Sequence, residues 1–497
     1  MTPETSRSND TQSRHRLGPS RWKCCVRFPA VPWCPAARLA VAELCASAFA
    51  ADRTSGCRIT NIYLSHIESH IVADRTFRAS IGLVARLDFI PRHASSAVAD
   101  ALADTRVVLV NGARQAGKST LVRAVAGQQA AEWRDLDLPP DRQSALEDPV
   151  GFVSFSGLTV IDEIQRAPEL LLAIKASVDA DQRPGRFLLT GSSRLLALRD
   201  LPDTLPGRME TIELWPFSQG EIDSTPDAFI DAAFALGPDL RHESDISRAG
   251  YADRIVRGGL PEAVARTDPG RRGRFHDSYV QNLIDRDVRQ LSEIERAPQL
   301  TALLRLLATR SGHIVPAGSL ESDLQISRPT VARYMRLLEE VFLIKRIPGW
   351  SRNLGTRITS APKLIFTDSG IAARILALDA HTLRRPGAPF GPLLEGFVIS
   401  ELARQLTWSQ QLADLYHYRD HNKVEVDAIL ENRHHQVIGI EVKAASTVRS
   451  DDFNGLRRVA ERLGDDFLLG LVLYTGTTTL PFGPKLRAAP VSALWQL

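Results

Sequence analysis

The stretch Arg106-Val-Val-Leu-Val-Asn-Gly-Ala-Arg-Gln-Ala-Gly-Lys-Ser-Thr120 decides how the rest of the chain is read. Arg106 to Val110 is a short apolar run of the kind that forms a buried strand. It leads directly into a segment, Gly112 to Ser119, with the spacing G-x-x-x-x-G-K-[ST]. Leu121, Val122 and Val125 then give a helical apolar face, and Gly127 is a stop signal. Strand, glycine-rich turn and helix in that order make a phosphate cradle: Gly112 and Gly117 let backbone N–H groups turn inward, and the helix N-terminus adds positive partial charge. Gly112, Ala113, Arg114, Gln115, Ala116, Gly117, Lys118, Ser119 and Thr120 are therefore the expected nucleotide-binding residues. In this reading Lys118 reaches the β- and γ-phosphates and Ser119 ligates magnesium, so ATP and Mg2+ are the expected cofactors.

Such a loop needs a second carboxylate on the magnesium side, at the end of a buried strand. Leu158-Thr-Val-Ile-Asp-Glu163 supplies it: Asp162 is placed to hold the ion through water, and Glu163 to orient or deprotonate the attacking water. A surface acidic pair is the alternative, but the apolar run before the two carboxylates points inward. Arg186-Phe-Leu-Leu-Thr-Gly-Ser-Ser-Arg194 is another short apolar run, ending in hydroxyls, and Thr190 or Ser192 is placed to report the γ-phosphate.

These segments, with Leu205-Pro-Gly-Arg208, Leu214-Trp-Pro-Phe217 and Gly258-Gly-Leu-Pro-Glu262, resemble prokaryotic AAA-superfamily ATPases that carry an uncharacterised C-terminal domain. The resemblance covers the chain from about residue 87 to its end. It implies an α/β fold, a parallel sheet flanked by helices, and an arginine that completes the site, often across a subunit boundary. Arg208 or Arg194 is the candidate for that arginine, with two plain surface arginines as the alternative, and a homo-oligomer follows if one of them acts between subunits.

Composition sets the outer limits. The chain has 497 residues, 44% hydrophobic and 24% charged, which excludes disorder throughout and suits about three domains. The longest charge-free run, residues 467–484, is half Thr, Gly and Pro (9 of 18), so no membrane span is expected. A net charge of +3 requires any nucleic-acid contact to come from a local patch. All five cysteines fall within the first 57 residues, leaving the rest without disulfides or thiolate metal sites, which fits a reducing cytoplasm. Residues 1–86 show no clear period and are expected to be disordered or a mis-called translation start. Lysine is rare, eight against 53 arginines. Two of the eight, Lys118 and Lys443, fall where chemistry needs a compact point charge.

Beyond the ATPase region, Glu221 to Asp245 is expected to loop out of the core, and Phe275 to Leu291 to form a helix with Tyr279, Leu283, Ile284, Val288 and Leu291 on its apolar face. Ser319 to Leu324 and Ser327 to Leu338 suggest a helix-turn-helix, with Ser327 as N-cap and Val331, Tyr334, Met335 and Leu338 as one stripe. Phe342 to Ile347 is then the wing. Arg328, Arg333 and Arg336 lie off the stripe, and residues 341–367 hold five basic residues and no acidic one, a face able to meet the phosphates of DNA. Solvated arginines or a protein-docking module are the alternatives.

In the last third, Lys423 to Leu430 alternates, with Val424, Val426, Ala428 and Leu430 opposite Glu425 and Asp427. Ile438, Ile440 and Val442 do the same against Glu441 and Lys443. Asp427 and Glu441-Val-Lys443, with Glu395 on an upstream apolar helix, resemble the PD-(D/E)xK nuclease core. The resemblance implies Glu395, Asp427, Glu441 and Lys443 as catalytic residues and Asp427 and Glu441 as metal ligands. A polar solvent face of a half-buried sheet has the same periodicity. The expected organisation is an extension over 1–86, a P-loop AAA ATPase domain over 87–235, a helical and winged-helix-like region over 250–354 and a nuclease-like α/β domain over 355–497. Its expected function couples nucleotide state to a C-terminal module acting on nucleic acid; the alternative is a nucleotide-dependent protein-docking switch with a vestigial nuclease fold.

Overall fold

The computed structural model describes residues 89–127, 130–192, 205–288 and 297–497, apart from 354, 356, 358 and 359. The expectations for residues 1–86, Arg194 and Leu291 lie outside this range.

The first sheet contains β1 (Val107–Gly112), β2 (Ala131–Asp135), β3 (Leu158–Asp162), β4 (Phe187–Gly191) and β5 (Met209–Leu214). The order is β2-β3-β4-β1-β5 and every pairing is parallel. β1, β3 and β4 are buried on both faces, as their unbroken apolar runs require. Successive residues of β1 serve opposite cores. Val107 and Leu109 pack with Leu170, Ile174 and Val178 of the helix Leu170–Ala180, whereas Val108 and Val110 pack with Val98, Leu121 and Val122 from the helices Ala94–Asp104 and Lys118–Ala126. Val110 registers with Thr190 and Asp135 with Asp162, so the carboxyl ends of these strands share one edge, where ligands sit in open parallel sheets.

The segment after this sheet is not looped out. Ser218 and Glu221 form a reciprocal capping box on the short helix Gln219–Asp223, and Phe229–Leu236 is a second helix whose Phe229, Ile230 and Ala233 are buried. Ala228 N donates to the terminal Leu497 carbonyl (2.7 Å), which ties this segment to the far end of the chain. The acidic residues of this segment do not mark a solvated loop, because Glu221 and Asp227 are buried and bonded.

The expected helix at Phe275 begins earlier, as Pro269–Asn282 with Asp268 capping the Arg271 N–H at 2.7 Å, and continues as a wider turn over Leu283–Val288. Three helices follow, Ala297–Thr309, Ala317–Leu324 and Arg328–Glu340, then the antiparallel hairpin of β6 (Ile344–Ile347) and β7 (Lys363–Phe366). Ser327 occupies the N-cap position, but its hydroxyl meets that of Thr330 (2.9 Å) rather than a backbone N–H.

The second sheet has the order β12-β13-β11-β10-β9-β8. Its strands are β8 (Ala413–Arg419), β9 (Glu425–Asn432), β10 (Val437–Lys443), β11 (Phe467–Tyr474), β12 (Leu480–Gly483) and β13 (Leu486–Pro490). The helix Phe390–Gln405 packs on one face and Asn454–Leu463 on the other, so this sheet is doubly covered rather than half-buried. The simple alternation expected for β9 also breaks: Val426 and Ile429 join one core, Ala428 and Leu430 the other. The cause is a bulge, since Tyr416 pairs with Ile429 and Tyr418 with Val426, giving β9 one extra residue beside Asp427. The largest core runs from Trp215 to Trp495, through the expected boundaries near 235–250 and 354. No described helix is long and apolar enough to cross a membrane.

Candidate functional site

The edge formed by β1, β3 and β4 assembles a polar constellation around the loop Gly112–Gly117. Gly112 has φ of 150°, and a Cβ there would lie 2.1 Å from the Leu214 carbonyl oxygen, while Gly117 has φ of 95° just before the helix begins. Both positions need glycine, for close approach and for the positive dihedral respectively. Lys118 is buried and donates to the carbonyls of Gly112 (3.1 Å) and Ala113 (3.0 Å), which holds its ammonium inside the loop. Ser119 Oγ donates to Asp162 Oδ1 at 3.0 Å, and Thr190 Oγ1 donates to the same oxygen. The Glu163 N–H in turn donates to Thr190 Oγ1 at 2.9 Å.

Glu163 adopts left-handed dihedrals (φ 57°, ψ 48°), an unusual state for a side-chain-bearing residue, which turns its carboxylate off the end of β3. There Oε2 accepts from Ser192 Oγ (3.0 Å) and from Gln165. The structure thus brings Lys118, Ser119, Asp162, Glu163, Thr190 and Ser192 together. Thr120 is exposed on the first helical turn. These groups fit magnesium nucleotide: a hydroxyl and a carboxylate converge as a hard-oxygen pair, and phosphate and water complete a magnesium shell that rarely needs a protein-only cage.

The loop faces a cleft of about 750 Å3 whose walls include Arg114, Gln115, Glu163, Glu262, Arg266 and Tyr279. Two supports were not apparent from sequence. Arg92 is buried and donates to the carbonyls of Ala116 (2.7 Å) and Trp215 (2.6 Å) while pairing with Glu221 at 3.0 Å. Tyr279 OH donates to the Arg114 carbonyl at 3.1 Å. No motif marks either, because each acts through backbone carbonyls distant in sequence. Arg208 does not join this constellation within the chain. It precedes β5, its carbonyl accepts from Val107 N at the opposite end of β1, and its guanidinium pairs with Asp179.

In the C-terminal sheet, Glu395, Asp427, Glu441 and Lys443 also come together, around a residue that sequence reasoning passed over. Lys363, at the start of β7, is 2% exposed and pairs with both Glu395 and Asp427 Oδ1, the latter at 3.0 Å. Asp427 Oδ2 accepts from Val442 N (2.9 Å), and Glu441 Oε1 from Lys443 Nζ (2.8 Å). Burial disfavours ionisation of Asp427, but Lys363 and the Val442 N–H outweigh it and hold its pKa low. Burial and then the Asp427 charge push Glu395 well up and Glu441 up to about 7. Where the nuclease resemblance implies a metal ion beside Asp427 and Glu441, the charge of the acids is met here by an ammonium. Among the described residues no group of three or more His, Cys, Asp or Glu side chains is arranged to hold a metal. A usable signal did exist: one of the eight lysines opens the apolar run Leu364-Ile-Phe366, where a cation needs a buried partner.

The basic run over 341–367 likewise differs from a phosphate-facing patch. All five cations are ion-paired: Lys345 with Glu213, Arg346 with Glu339, Arg352 with Asp466, Arg357 with Glu431, and Lys363 as above. The partners come from other segments, so a count along the run could not see them. Arg328, Arg333 and Arg336 remain exposed.

Three family models match successive parts of the chain: an AAA domain over residues 104–223, and domains of unknown function, DUF8612 over 248–382 and DUF4143 over 390–494. Uncharacterized proteins of Mycobacterium bovis and Mycobacterium tuberculosis are each 28% identical over 429 residues, covering 86% of this chain and 88% of theirs. Among solved structures, a Walker-type ATPase of Pyrococcus abyssi is 16% identical with a TM-score of 0.39, over 59% of this chain and 97% of that one. The Thermotoga maritima RuvB Holliday junction branch migration motor is 20% identical with a TM-score of 0.26, over 52% and 91% of the two chains. With the loop geometry on β1 and the match over residues 104–223, the chain carries an AAA-type P-loop domain.

Proposed function

We propose that this protein binds and hydrolyses ATP with magnesium, and that its nucleotide state is passed to the C-terminal α/β domain. The observation that carries the reading is the single carboxylate oxygen of Asp162 that accepts from both Ser119 and Thr190, while Thr190 also receives the Glu163 N–H. That bridge ties the magnesium side of the loop, the residue beside the γ-phosphate and the backbone of the base candidate into one unit. Lys118 would leave its loop carbonyls for the β- and γ-phosphates, and Ser119 and Asp162 would hold the ion. Magnesium supplies charge neutralisation to the leaving phosphate. Glu163 would take the proton of the attacking water, with Ser192 and Gln165 fixing its carboxylate.

The path to the C-terminal domain is short. Asp368, fully buried just after β7, accepts from the N–H groups of Gly259 (2.7 Å) and Leu260 (3.1 Å), and Glu262 of that same segment lines the nucleotide-side cleft. Lys363 favours a second element of the reading: with its acids already neutralised, the tail works as a nucleotide-controlled docking module and not as a nuclease. Substitution tests the nucleotide chemistry. Lys118→Ala should abolish tight ATP binding, whereas Glu163→Gln should keep binding and slow turnover by about 10² or more. Unchanged turnover in Glu163→Gln removes that residue from the mechanism. Magnesium-dependent cutting of duplex DNA by the full chain, lost in Asp427→Ala, would return the tail to the nuclease reading.

A further inference from the structure

A second cavity, of about 430 Å3, lies among the helices Arg248–Arg257, Pro269–Asn282 and Ser369–Ile375, and four arginines line it. Two of the four are neutralised: Arg254 pairs with Asp223 at 2.7 Å and Arg374 with Asp277 at 2.6 Å. The other two make hydrogen bonds only to neutral groups among the described residues, although Asp223 and Glu401 act on Arg257, and Asp253 and Asp268 on Arg272, through space. Arg257 donates to Gln219 Oε1 (2.8 Å), and Arg272 donates to the carbonyls of Ala263 (3.1 Å) and Arg266 (2.6 Å). Arg257 Nε and His276 Nε2, from two residues that line the cavity, are buried without a hydrogen-bond partner. The opposing charge in the lining, Asp253 and Asp379, is exposed, and Asp379 is already engaged in capping Thr382 N.

Arg257 and Arg272 are half-buried, and guanidinium groups withdrawn from water are commonly matched by anions because desolvating the charge is costly. Two half-buried forks that hydrogen-bond to no carboxylate, one of them with its Nε donor unused, suit a dianion that can accept several N–H bonds at once. Val256, Pro269 and Leu378 add an apolar wall. The volume suits a small metabolite and is too small for a folded peptide or a nucleic-acid strand. We propose that this cavity binds a small organic phosphate, its phosphate between Arg257 and Arg272 and its apolar body against Val256 and Leu378.

The pocket also shares a wall with the nucleotide-side cleft. One face of the helix Pro269–Asn282 presents Arg272 and His276 to the phosphate pocket, and another presents Phe275 and Tyr279 to the cleft. Arg272 further holds the carbonyl of Arg266, whose side chain lines the cleft. Occupancy of the pocket therefore shifts nucleotide affinity; this coupling, unlike the binding itself, rests on the nucleotide reading above.

Calorimetric titration of the full-length Lys118→Ala chain, in which the P-loop is crippled, isolates the second site. Phenyl phosphate is the probe, with inorganic phosphate and benzoate as comparisons. Phenyl phosphate should bind one to one, and adding Arg257→Gln should weaken it by about tenfold or more, as loss of a charge-assisted pair does. Arg257→Lys, which keeps the charge, should recover part of the affinity, and unchanged circular dichroism and melting show that the fold is intact. No binding of phenyl phosphate, binding untouched by both Arg257→Gln and Arg272→Gln, or equal binding of benzoate overturns the assignment. In the chain with an intact P-loop, phenyl phosphate should shift the affinity of a fluorescent ATP analogue by about fivefold or more, and Arg257→Gln should remove the shift. An unshifted affinity overturns the coupling alone, since the direct titration reads the pocket without it.

Discussion

Replacing Lys363 by methionine removes the cation that β7 buries against the acids of the C-terminal sheet and its helix, while keeping most of the stem volume. The ammonium is 2% exposed and serves both Glu395 and Asp427, so the substitution leaves two acids facing each other inside the protein. Breaking a buried pair by deleting one partner costs about 3–5 kcal/mol. Glu395, whose carboxyl is already pushed up by burial and by Asp427, can take up a proton and hold the cost toward the lower end. In a folding unit this large, a kcal/mol corresponds to about 2 °C or less, so the melting temperature should drop by roughly 3–6 °C. The deficit should shrink as pH falls from about 8 to about 5.5, because protonating either acid relieves the repulsion. Millimolar magnesium or manganese should restore Lys363→Met, by occupying the position the ammonium has left, and leave the parent chain almost unchanged. Scanning calorimetry of both chains, with chelator and with metal, reads all three effects. A variant that melts with the parent, or a parent stabilised by metal as much as the variant, would refute the idea that Lys363 replaces the ion, and would restore Asp427 and Glu441 as ligands.

Arg92→Met should weaken ATP binding by tenfold or so without touching a phosphate, because the Ala116 and Trp215 carbonyls lose their donor and Glu221 is left buried and unpaired; an unaltered dissociation constant would show that the loop holds its shape alone. Asp227 is pushed up to about 8 by burial and by Glu401, so the folded chain keeps a proton that the unfolded chain releases near pH 4. That contribution to stability is complete below about pH 4 and declines as pH rises to about 8. Asp227→Asn should be flat over that window, gaining on the parent by up to about 1.4 kcal/mol per pH unit, with its amide able to donate toward His93 Nε2, now 3.7 Å from Oδ2. Denaturant midpoints that stay parallel from acid to alkaline pH would rule this out.

Contiguity separates what the sequence could disclose from what it could not. The loop Gly112–Ser119 and the strand ending in Asp162 and Glu163 are legible because their geometry is local: glycine dihedrals, a helix start and an apolar run fix where each group points. Thr190 and Ser192 were readable for the same reason, since a short buried strand must deliver its next polar residues at the sheet edge. Arg92, Tyr279 and Lys363 were not, because each meets partners brought near only by the tertiary fold. Alternation placed Glu441 and Lys443 on one face, but could not anticipate the extra residue that re-aims Asp427. The cationic run over 341–367 gave the opposite lesson: counting charges along the chain overstated a surface whose countercharges come from Glu213, Glu339, Glu431 and Asp466.

The contact of Lys363 with Glu395 and Asp427 also bears on how such chains can be inherited and recombined. The lysine lies in the segment 248–382 and both carboxylates in the segment 390–494, two stretches matched by separate family models. Transplanting either segment alone into a relative that solves the charge problem differently would strand an ammonium or a pair of acids in a dry interior. The two stretches therefore form one heritable cassette, and a chimera respecting the model boundaries should fail to accumulate unless its donor supplies the matching side of the bridge.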